Sequence, residues 1–412
     1  MEKKLKILQL APRYPFPTDD GGKIGIANIL REFSNQDAEV TFFCFYDDGI
    51  NAVSEEAIEE GRSLAEIKLI RHSTKNSLPR IISSIINKES VYIRKHNGNK
   101  IRTELSELLR NNKFDVVHSD HSCMAGLALF VKNYQKIPAG LRLHNIEWLI
   151  WERYAKTLNK FSPKRIYVSK QAVLLRKAEQ DIYRQMDICF AITEQDKQRA
   201  IDLAPGAKVV VASAGVVPEE WEPDDNIVRN SNEIILATVF NWIHNVDAVK
   251  WFLSDVLPVL KKKNKNIRLK LIGKFMPAWL KNYKDSSVDV LGYVDRVQPY
   301  LNKAAVYIAP LFVGGGIRIK ILEAMAMKLP VVASPVAAEG INAGSEQGLY
   351  VSNNKDEFTD NIIRLTQNPD LARHSGKSAR NYIIKEYSWK RNVGIMLDEY
   401  RKLVNQDGTN PG

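Results

Sequence analysis

Cysteine and long hydrophobic segments are scarce in this chain. Its 412 residues include three cysteines, Cys44, Cys123 and Cys189, and each lies inside a separate apolar, strand-like run. Their spacing fits neither a metal site nor a redox pair, so we expect small core residues in a reducing compartment. No apolar run approaches the roughly 18 residues that a transmembrane helix requires. A membrane-spanning protein is therefore not expected.

The sequence also lacks a recognisable targeting segment. The opening MEKKLKILQLA runs directly into a predicted strand, which is not the pattern of a secretory signal. There is no short internal repeat, and the polar tail NQDGTNPG (405–412) is the only low-complexity segment. We expect a cytoplasmic protein, at most peripheral on the inner face of the plasma membrane.

Acidic residues are fewer than basic ones. The chain has 59 Lys and Arg against 48 Asp and Glu, a net charge of +11, within an ordinary globular composition of 44% hydrophobic and 26% charged residues. A positive excess favours an anionic partner such as a nucleotide, a membrane surface or nucleic acid. No recognised nucleic-acid motif accompanies the charge, so nucleic acid is not expected as a partner.

Apolar runs alternate with helical stretches along the whole chain, which predicts parallel sheets covered by helices on both faces. The first half holds seven strand-like runs, at 5–11, 39–46, 66–71, 114–120, 139–145, 187–193 and 208–213. Six more follow, at 233–240, 267–273, 288–292, 304–310, 330–334 and 348–351.

Prolines, acids and polar residues interrupt this alternation at 216–232, which predicts a linker. The fold class is therefore α/β, with two tandem Rossmann-like, doubly wound domains at 1–215 and 233–385. Ligands of such sheets bind beyond the carboxyl ends of the strands. Two of these domains facing each other predict a single interdomain cleft.

The segment Pro310–Met327, PLFVGGGIRIKILEAMAM, has the pattern of a phosphate site. A predicted strand leads into three consecutive glycines, Gly314, Gly315 and Gly316, and then into a helical pattern from Ile317. Such a turn presents backbone N–H groups and the positive end of a helix dipole to an anion. Arg318 and Lys320 place positive charge in the predicted first turn, which is unfavourable unless an anion binds there. We predict a diphosphate; the alternative is an ordinary tight turn with two solvated cations.

Three segments together resemble family 4 (group 1) retaining glycosyltransferases of GT-B architecture. They are PRYPFPTDDGGKIG (12–25), HNIEWLIWERYA (144–155) and the long stretch from Leu291 to Ser334. The pattern GGGxRxKxLEAMA is similar to a bacterial subgroup associated with polysaccharide assembly. The resemblance covers nearly the whole chain.

The resemblance implies an activity. It is retaining transfer of a sugar from a nucleotide-diphosphate sugar to a glycan or lipid-linked acceptor, with no metal and no other cofactor. It also implies that a C-terminal helix, at 386–404, crosses back to the first domain.

The resemblance also assigns roles to individual residues. Glu323 matches the carboxylate that binds the ribose hydroxyls, and Arg318 and Lys320 would neutralise the diphosphate and the leaving group. His144 matches a histidine near the reacting carbon. Further donor contacts fall on Gly21 and Gly22 in the first loop, on the triple glycine with Ile317, and on Gly292, Tyr293 and Val294 for the base.

Two departures from the family pattern concern the donor. Gly315 stands eight positions before Glu323, where the family commonly has a second glutamate. The loop FNWIHNVDAV (240–249) offers Asn241, His244 and Asn245 where many relatives have an arginine and a lysine. We therefore expect Arg318 and Lys320 to supply the phosphate charge.

Two basic clusters lie in the first half. Residues 156–177 carry seven basic residues and no acid, and residues 75–102 carry seven with Glu89 alone opposing them. Isoleucines interleave with the second cluster at helical spacing. One hypothesis is docking on anionic lipid headgroups, and the other is a solvated face over core residues.

Two other classes of function stay open from the sequence. A nucleotide-sugar epimerase of the same architecture would bind the same donor without an acceptor. A non-catalytic binding protein would keep the fold and lose turnover.

Overall fold

A computed structural model of the chain describes residues 4–18, 20–47, 49, 52–240, 243–313 and 316–407. The chain divides into two compact units. The first unit comprises Met1–Ser213 and Asn392–Gly412, and the second unit comprises Ala214–Arg391.

The first unit is built on a seven-stranded parallel sheet in the order β3-β2-β1-β4-β5-β6-β7. Its central strands are mostly apolar and almost fully buried, as expected where both faces of a sheet are covered. They are β1 (Leu5–Ala11), β2 (Ala38–Tyr46), β3 (Glu66–Arg71), β4 (Val116–Ser119), β5 (Ala139–Leu143), β6 (Ile188–Ala191) and β7 (Val209–Val211).

The second unit has a six-stranded parallel sheet in the order β10-β9-β8-β11-β12-β13. Its strands are β8 (Asn230–Ala237), β9 (Arg268–Ile272), β10 (Val288–Gly292), β11 (Ala304–Ala309), β12 (Val331–Ala333) and β13 (Leu349–Val351). All the strands predicted from the sequence are present. The prediction of two Rossmann-like, doubly wound domains is confirmed.

Helices follow the strands in both units. In the first half they are α1 (Gly21–Asn35), α2 (Glu55–Arg62), α3 (Leu78–Ile86), α4 (Val91–Arg94), α5 (Asn99–Asn111), α6 (Ala125–Gln135), α7 (Glu147–Thr157), α8 (Pro163–Gln185) and α9 (Glu194–Leu203). Later come α10 (Ile243–Trp251), α11 (Leu257–Lys263), α12 (Ala278–Lys281), α13 (Gln298–Lys303), α14 (Ile319–Ala326), α15 (Pro335–Ala338), α16 (Lys355–Gln367), α17 (Pro369–Glu386) and α18 (Trp389–Asp407). Within the described part of the chain, no helix has the length and hydropathy that crossing a bilayer requires.

The sheet of the second unit lies between two hydrophobic layers. Along β8, Ile235 and Ala237 pack into one cluster of buried side chains, whereas Ile234 and Leu236 pack into the other. Successive side chains of a strand point to opposite faces, so a run without polar residues fills both layers. This explains why the apolar runs identified the strands so well.

Residues 216–232, which the sequence predicts as a linker, belong to the second unit. Val216 is buried and pairs with the chain near α18: its N–H donates to the Tyr387 carbonyl at 2.8 Å. Arg229 donates to the carbonyls of Ala304, at 3.1 Å, and Met327, at 2.7 Å. These contacts with residues far along the chain attach the segment to the second unit, despite its prolines and acids.

One predicted helix is interrupted. The sequence predicts a single helix over 246–263, but α10 and α11 are separated by a π-helical segment, Phe252–Val256. Pro258 lies at the second position of α11 and has no N–H for the regular helical bond. The three cysteines are all buried and in no disulfide.

Candidate functional site

The strand order of the second unit reverses between β8 and β11, and ligands of such sheets bind beyond this point. The Tyr307 hydroxyl of β11 donates to the Ala237 carbonyl at the end of β8, at 2.7 Å. This bond ties the two strand ends together. Because α14 follows β11 through the turn at Gly316, this helix starts where a ligand is expected.

Among the described residues, no side chain caps the start of α14. Gly316 has φ of 73°, in the left-handed region that glycine adopts without strain. Arg318 follows in an extended conformation and occupies the N-cap position without a side-chain cap bond. The helix begins at Ile319, so the prediction that Arg318 lies inside the first turn is wrong. Its extended backbone delays the helix and leaves the N–H groups of the first turn without a side-chain cap.

Ser334 fixes the segment that precedes this turn. Its N–H donates to the Ala309 carbonyl at 3.1 Å, and its hydroxyl donates to the Leu311 carbonyl. The same hydroxyl oxygen accepts the N–H of Ala337 and caps α15. Ser334 thus joins the ends of β11 and β12, a role that the sequence analysis missed.

Glu323 is buried in the second turn of α14. Its carboxylate lies 2.8 Å from the Lys320 ammonium, and that ammonium lies 5.8 Å from the centre of the Trp221 ring. Burial raises the pKa of Glu323, the pairing with Lys320 opposes this shift, and Glu220 adds to it. The geometry gives a desolvated hydrogen-bond acceptor with one cation beside it.

Arg318 and Lys320 lie in different surroundings. Burial lowers the pKa of Arg318, and the charge of Glu339 opposes that shift. Lys320 is about half exposed and pairs with Glu323. The structure thus brings Gly316, Ile317 and both cations to one helix start. The Lys320 ammonium is already paired there with the Glu323 carboxylate.

The neighbouring strand ends continue this edge of the sheet. A Cβ on Gly273 would lie 1.8 Å from the Thr238 carbonyl oxygen, so β9 ends against the loop after β8 at a position that only glycine fits. The Gly273 N–H donates to the Gly292 carbonyl at 2.8 Å. Tyr293 is exposed, and the Lys274 ammonium lies 4.5 Å from its ring centre.

Not all the predicted donor contacts lie together. Gly292 is the last residue of β10, and Tyr293 and Val294 follow it. This strand is three strand spacings, or about 14 Å, from β11 along the edge. Gly314, Gly315 and Asn241 lie outside the described residues. The Asn245 side-chain amide donates to the Val239 carbonyl at 2.7 Å, so it already has a hydrogen-bond partner within the protein. Among the side chains that the structure describes, no group of three His, Cys, Asp or Glu is placed to hold a metal ion.

Gly21 and Gly22 are the first two residues of α1 in the first unit, so the prediction that they belong to a loop is wrong. Asp20 caps this helix by accepting the Lys23 N–H at 3.0 Å, and Arg13 clamps the same carboxylate through two bonds of 2.7 and 2.6 Å. The backbone bond and the arginine lower the pKa of Asp20, although burial opposes them. With this cap the helix starts at Gly21, whereas the helical pattern in the sequence begins at Lys23.

His144 follows β5 and lies against α1. A Cβ on Gly25 would lie 2.8 Å from its Cε1 atom, and the His121 ring stacks on it with centroids 4.0 Å apart. Burial lowers the pKa of His121 to about 4 and that of His144 well below its usual value. Both rings are therefore neutral at pH 7. The buried His144 Nε2 has no hydrogen-bond partner among the described residues.

Both units match known glycosyltransferase families. Residues 20–220 match the family described as Glycosyltransferase Family 4, and residues 233–368 match Glycosyl transferases group 1. The chain contains two glycosyltransferase domains. The boundary between the two matches falls within residues 221–232, close to the division between the two units.

Relatives and solved structures resemble this glycosyltransferase over different lengths. An uncharacterized 44.6 kDa protein in the cps region of Klebsiella pneumoniae is 21% identical over 96% of this chain and 99% of its own. An uncharacterized glycosyltransferase of Methanocaldococcus jannaschii is 30% identical, over 30% of this chain and 33% of its own.

Solved structures share the fold at low identity. Sucrose-phosphate synthase of Thermosynechococcus elongatus has a TM-score of 0.69 and 13% identity, over 98% of this chain and 100% of its own. HepE of Anabaena in complex with UDP and glucose has a TM-score of 0.63 and 10% identity, over 97% of this chain and 100% of its own. The fold of this glycosyltransferase is that of GT-B enzymes, with two Rossmann-like domains.

The first unit of this glycosyltransferase also contains a carboxyl pair, Glu147 and Glu179, that the sequence did not predict. Glu179 of α8 accepts bonds from Ser122 Oγ and Tyr183 Oη, both at 2.9 Å, and from the Trp148 N–H at 3.0 Å. Burial and the charge of Glu179 raise the pKa of Glu147 to about 7, whereas Asn145 and Tyr92 oppose the shift. A signal for this was present in the sequence, because Glu179 shares a helix face with the apolar positions 175, 182 and 183, which are buried.

Proposed function

We propose that this glycosyltransferase is a retaining, metal-independent enzyme of bacterial surface polysaccharide assembly. It moves a sugar from a nucleotide-diphosphate sugar to a glycan or lipid-linked acceptor. The observation that carries the proposal is the buried carboxylate of Glu323 beside the uncapped start of α14, at the reversal of strand order in the second unit. An anion-binding helix end and a desolvated acceptor for hydroxyl groups match the diphosphate and the ribose of such a donor.

The comparisons support the proposal in two respects. HepE was solved with UDP and glucose, which supports a nucleotide sugar as the donor. The Klebsiella relative is a protein in the cps region and matches this chain from end to end, which supports a related role.

The donor residues have distinct roles in the proposal. Glu323 accepts hydrogen bonds from the ribose hydroxyls, and the Gly316–Arg318 turn with the triple glycine holds the diphosphate. Arg318 and Lys320 stabilise the charge that grows on the leaving group. Gly292, Tyr293 and Val294 contact the base through the exposed end of β10.

The proposed retaining mechanism needs no dedicated base. The departing diphosphate oxygen takes the acceptor proton on the same face, and catalysis rests on positioning and on charge stabilisation. In the first unit, the neutral His144 lies near the reacting carbon of the transferred sugar. Gly21 offers a backbone N–H group at the start of α1, whereas the Gly22 N–H contacts the Asp20 carboxylate.

The test is transfer by the purified chain with UDP-, GDP- and dTDP-sugars, with and without a lipid-linked acceptor and in the presence of EDTA. We expect acceptor-dependent product that keeps the anomeric configuration of the donor, determined by NMR. Conversion of the free nucleotide sugar without acceptor would indicate an epimerase. Affinity without product would indicate a binding protein, and inactivation by EDTA would contradict metal independence.

Glu323→Gln tests the donor site directly. Loss of charge-assisted hydrogen bonds of about 1.5–3 kcal/mol should raise the Kd for the nucleotide roughly tenfold to a hundredfold. Glu346→Gln, an exposed acid of the same unit, is the matched control and should bind the nucleotide as the original chain does. Calorimetry with each nucleotide measures both. Equal affinity of the Glu323→Gln variant would contradict the ribose assignment.

A further inference from the structure

Helix α3 has its apolar side toward solvent. Ser84 is buried and contacts α8, where its Oγ accepts the Gln171 side-chain amide at 3.2 Å. Ile82 and Ile86 lie on the opposite side of the helix and are 55% and 72% exposed. A helix that stabilises a globular core normally buries its apolar face. In α3 the apolar face is exposed and the face with Ser84 is buried instead.

Helix α8 carries a matching exposed face. Ile166, Lys170, Val173 and Lys177 follow one another at helical spacing, and all four side chains are exposed. Ile166 and Val173 are 68% and 69% exposed. Apolar and cationic side chains therefore alternate along one line of this helix.

The two helices that carry these exposed faces pack against each other through Ser84 and Gln171. Besides the bond to Ser84, Gln171 accepts the N–H of Val91, at the start of α4, at 2.9 Å. The basic clusters at 75–102 and 156–177, which are far apart in the sequence, thus meet where α3 and α4 pack on α8. We name the exposed sides of α3 and α8 the basic-apolar surface.

Further cations border this surface. A groove between α7 and α8 is lined by Lys156, Arg165 and Arg176, and the Arg176 guanidinium lies 5.3 Å from the centre of the Trp148 ring. Phe161, in the turn before α8, is 92% exposed. Residues 156–177 contain no acid, although Glu152, which also lines the groove, pairs with Lys156 at 3.3 Å.

We infer that the basic-apolar surface docks on an anionic lipid bilayer. Ile82, Ile86 and Val173 enter the headgroup region, and the lysines of α8 pair with lipid phosphates. A second copy of the chain would bring like charges together and is disfavoured by Coulomb repulsion. The inference extends the proposed lipid-linked acceptor, and its test requires no turnover.

The test is flotation of the full chain with vesicles of phosphatidylcholine, with and without phosphatidylglycerol. We expect binding only with phosphatidylglycerol, and we expect salt to weaken it. The double variant Lys170→Glu/Lys177→Glu should lower partitioning by at least about tenfold. Ile82→Ser/Ile86→Ser should lower it while leaving the net charge unchanged.

Lys281→Glu/Lys284→Glu is the matched control, because it makes the same charge change at exposed positions of the second unit. It should bind vesicles as the original chain does. Thermal melting checks that each variant is folded.

Three outcomes would each overturn the inference. They are an equal loss of vesicle binding in control and test variants, unchanged vesicle binding by both test variants, and no binding to anionic vesicles at low salt. Dimerisation through this surface without vesicle binding, seen by sedimentation, would identify a second copy as the occupant.

Discussion

Glu147 is placed where its charge is disfavoured. Its carboxyl lies among Glu179, Tyr92 and Asn145, and burial together with the Glu179 charge raises its pKa from 4.5 to about 7. The folded chain therefore binds a proton at Glu147 over a pH range in which the unfolded chain has lost it. Folding stability contributed by this group is present below the unfolded pKa and falls as pH rises from about 4.5 to about 7.

Glu147→Gln should remove this loss. We expect the variant to be more stable than the original chain at pH 8, by on the order of 1–3 kcal/mol, and to differ little from it at pH 4.5. The Glu147 backbone N–H, which lies 3.4 Å from the Glu179 carboxylate, is unaffected. Denaturant unfolding across this pH range measures the difference. Glu152→Gln, on an exposed site of the same helix, should leave the pH profile unchanged.

At the scale of elements, α17 holds the end of the helix that carries the candidate site. Arg380 donates to the carbonyls of Ala326 and Trp221, both at 2.6 Å. Gly376 lies so close to the end of α14 that a Cβ there would be 2.0 Å from the Lys328 carbonyl oxygen. This packing fixes the position of Glu323 through the helix that contains it.

Gly376→Ala should therefore destabilise the second unit. Alanine in a helix gains up to about 1 kcal/mol over glycine, but overpacking against a backbone atom costs about 1–3 kcal/mol, so the net effect is a loss. We expect a lower melting temperature and weaker nucleotide binding. Gly344→Ala, where the nearest atom would be 3.8 Å away, is the control. A Gly376→Ala variant that is as stable as this control would contradict the packing argument.

At the scale of the whole molecule, α18 begins in the second unit and belongs to the first from Asn392 onward. Tyr400 is fully buried there, and its hydroxyl lies 2.6 Å from His118 Nδ1 in β4. A Cβ on Gly140 would lie 2.1 Å from the same hydroxyl. The C-terminal helix is thus part of the core of the first unit.

Tyr400→Phe should destabilise the first unit by about 1–3 kcal/mol, because the buried His118 nitrogen loses its partner. Hydrogen exchange should locate the loss in β4 and β5. Tyr134→Phe, at a half-exposed position of the same unit, should leave exchange there unchanged. Faster exchange confined to the second unit would contradict the placement of α18.

The strands and their order in the chain could be predicted from local sequence patterns. The predicted bounds of Leu5–Ala11 agree with the structure, because a strand covered on both faces needs mostly apolar residues. The bounds of Glu66–Arg71 also agree, although three of the six residues of this edge strand are charged. The triple glycine with its two cations also pointed to α14. These signals are local, since each depends only on residues next to one another.

How these local elements act together could not be predicted, because it depends on contacts between distant segments. The Arg13–Asp20 clamp started α1 at Gly21, and the pairing of Val216 with Tyr387 placed residues 216–232 in the second unit. Glu179 became a buried acceptor, and two distant basic clusters met at Ser84 and Gln171. The physical reason is that burial and electrostatic surroundings depend on partners far away in the chain, which no window of neighbouring residues contains.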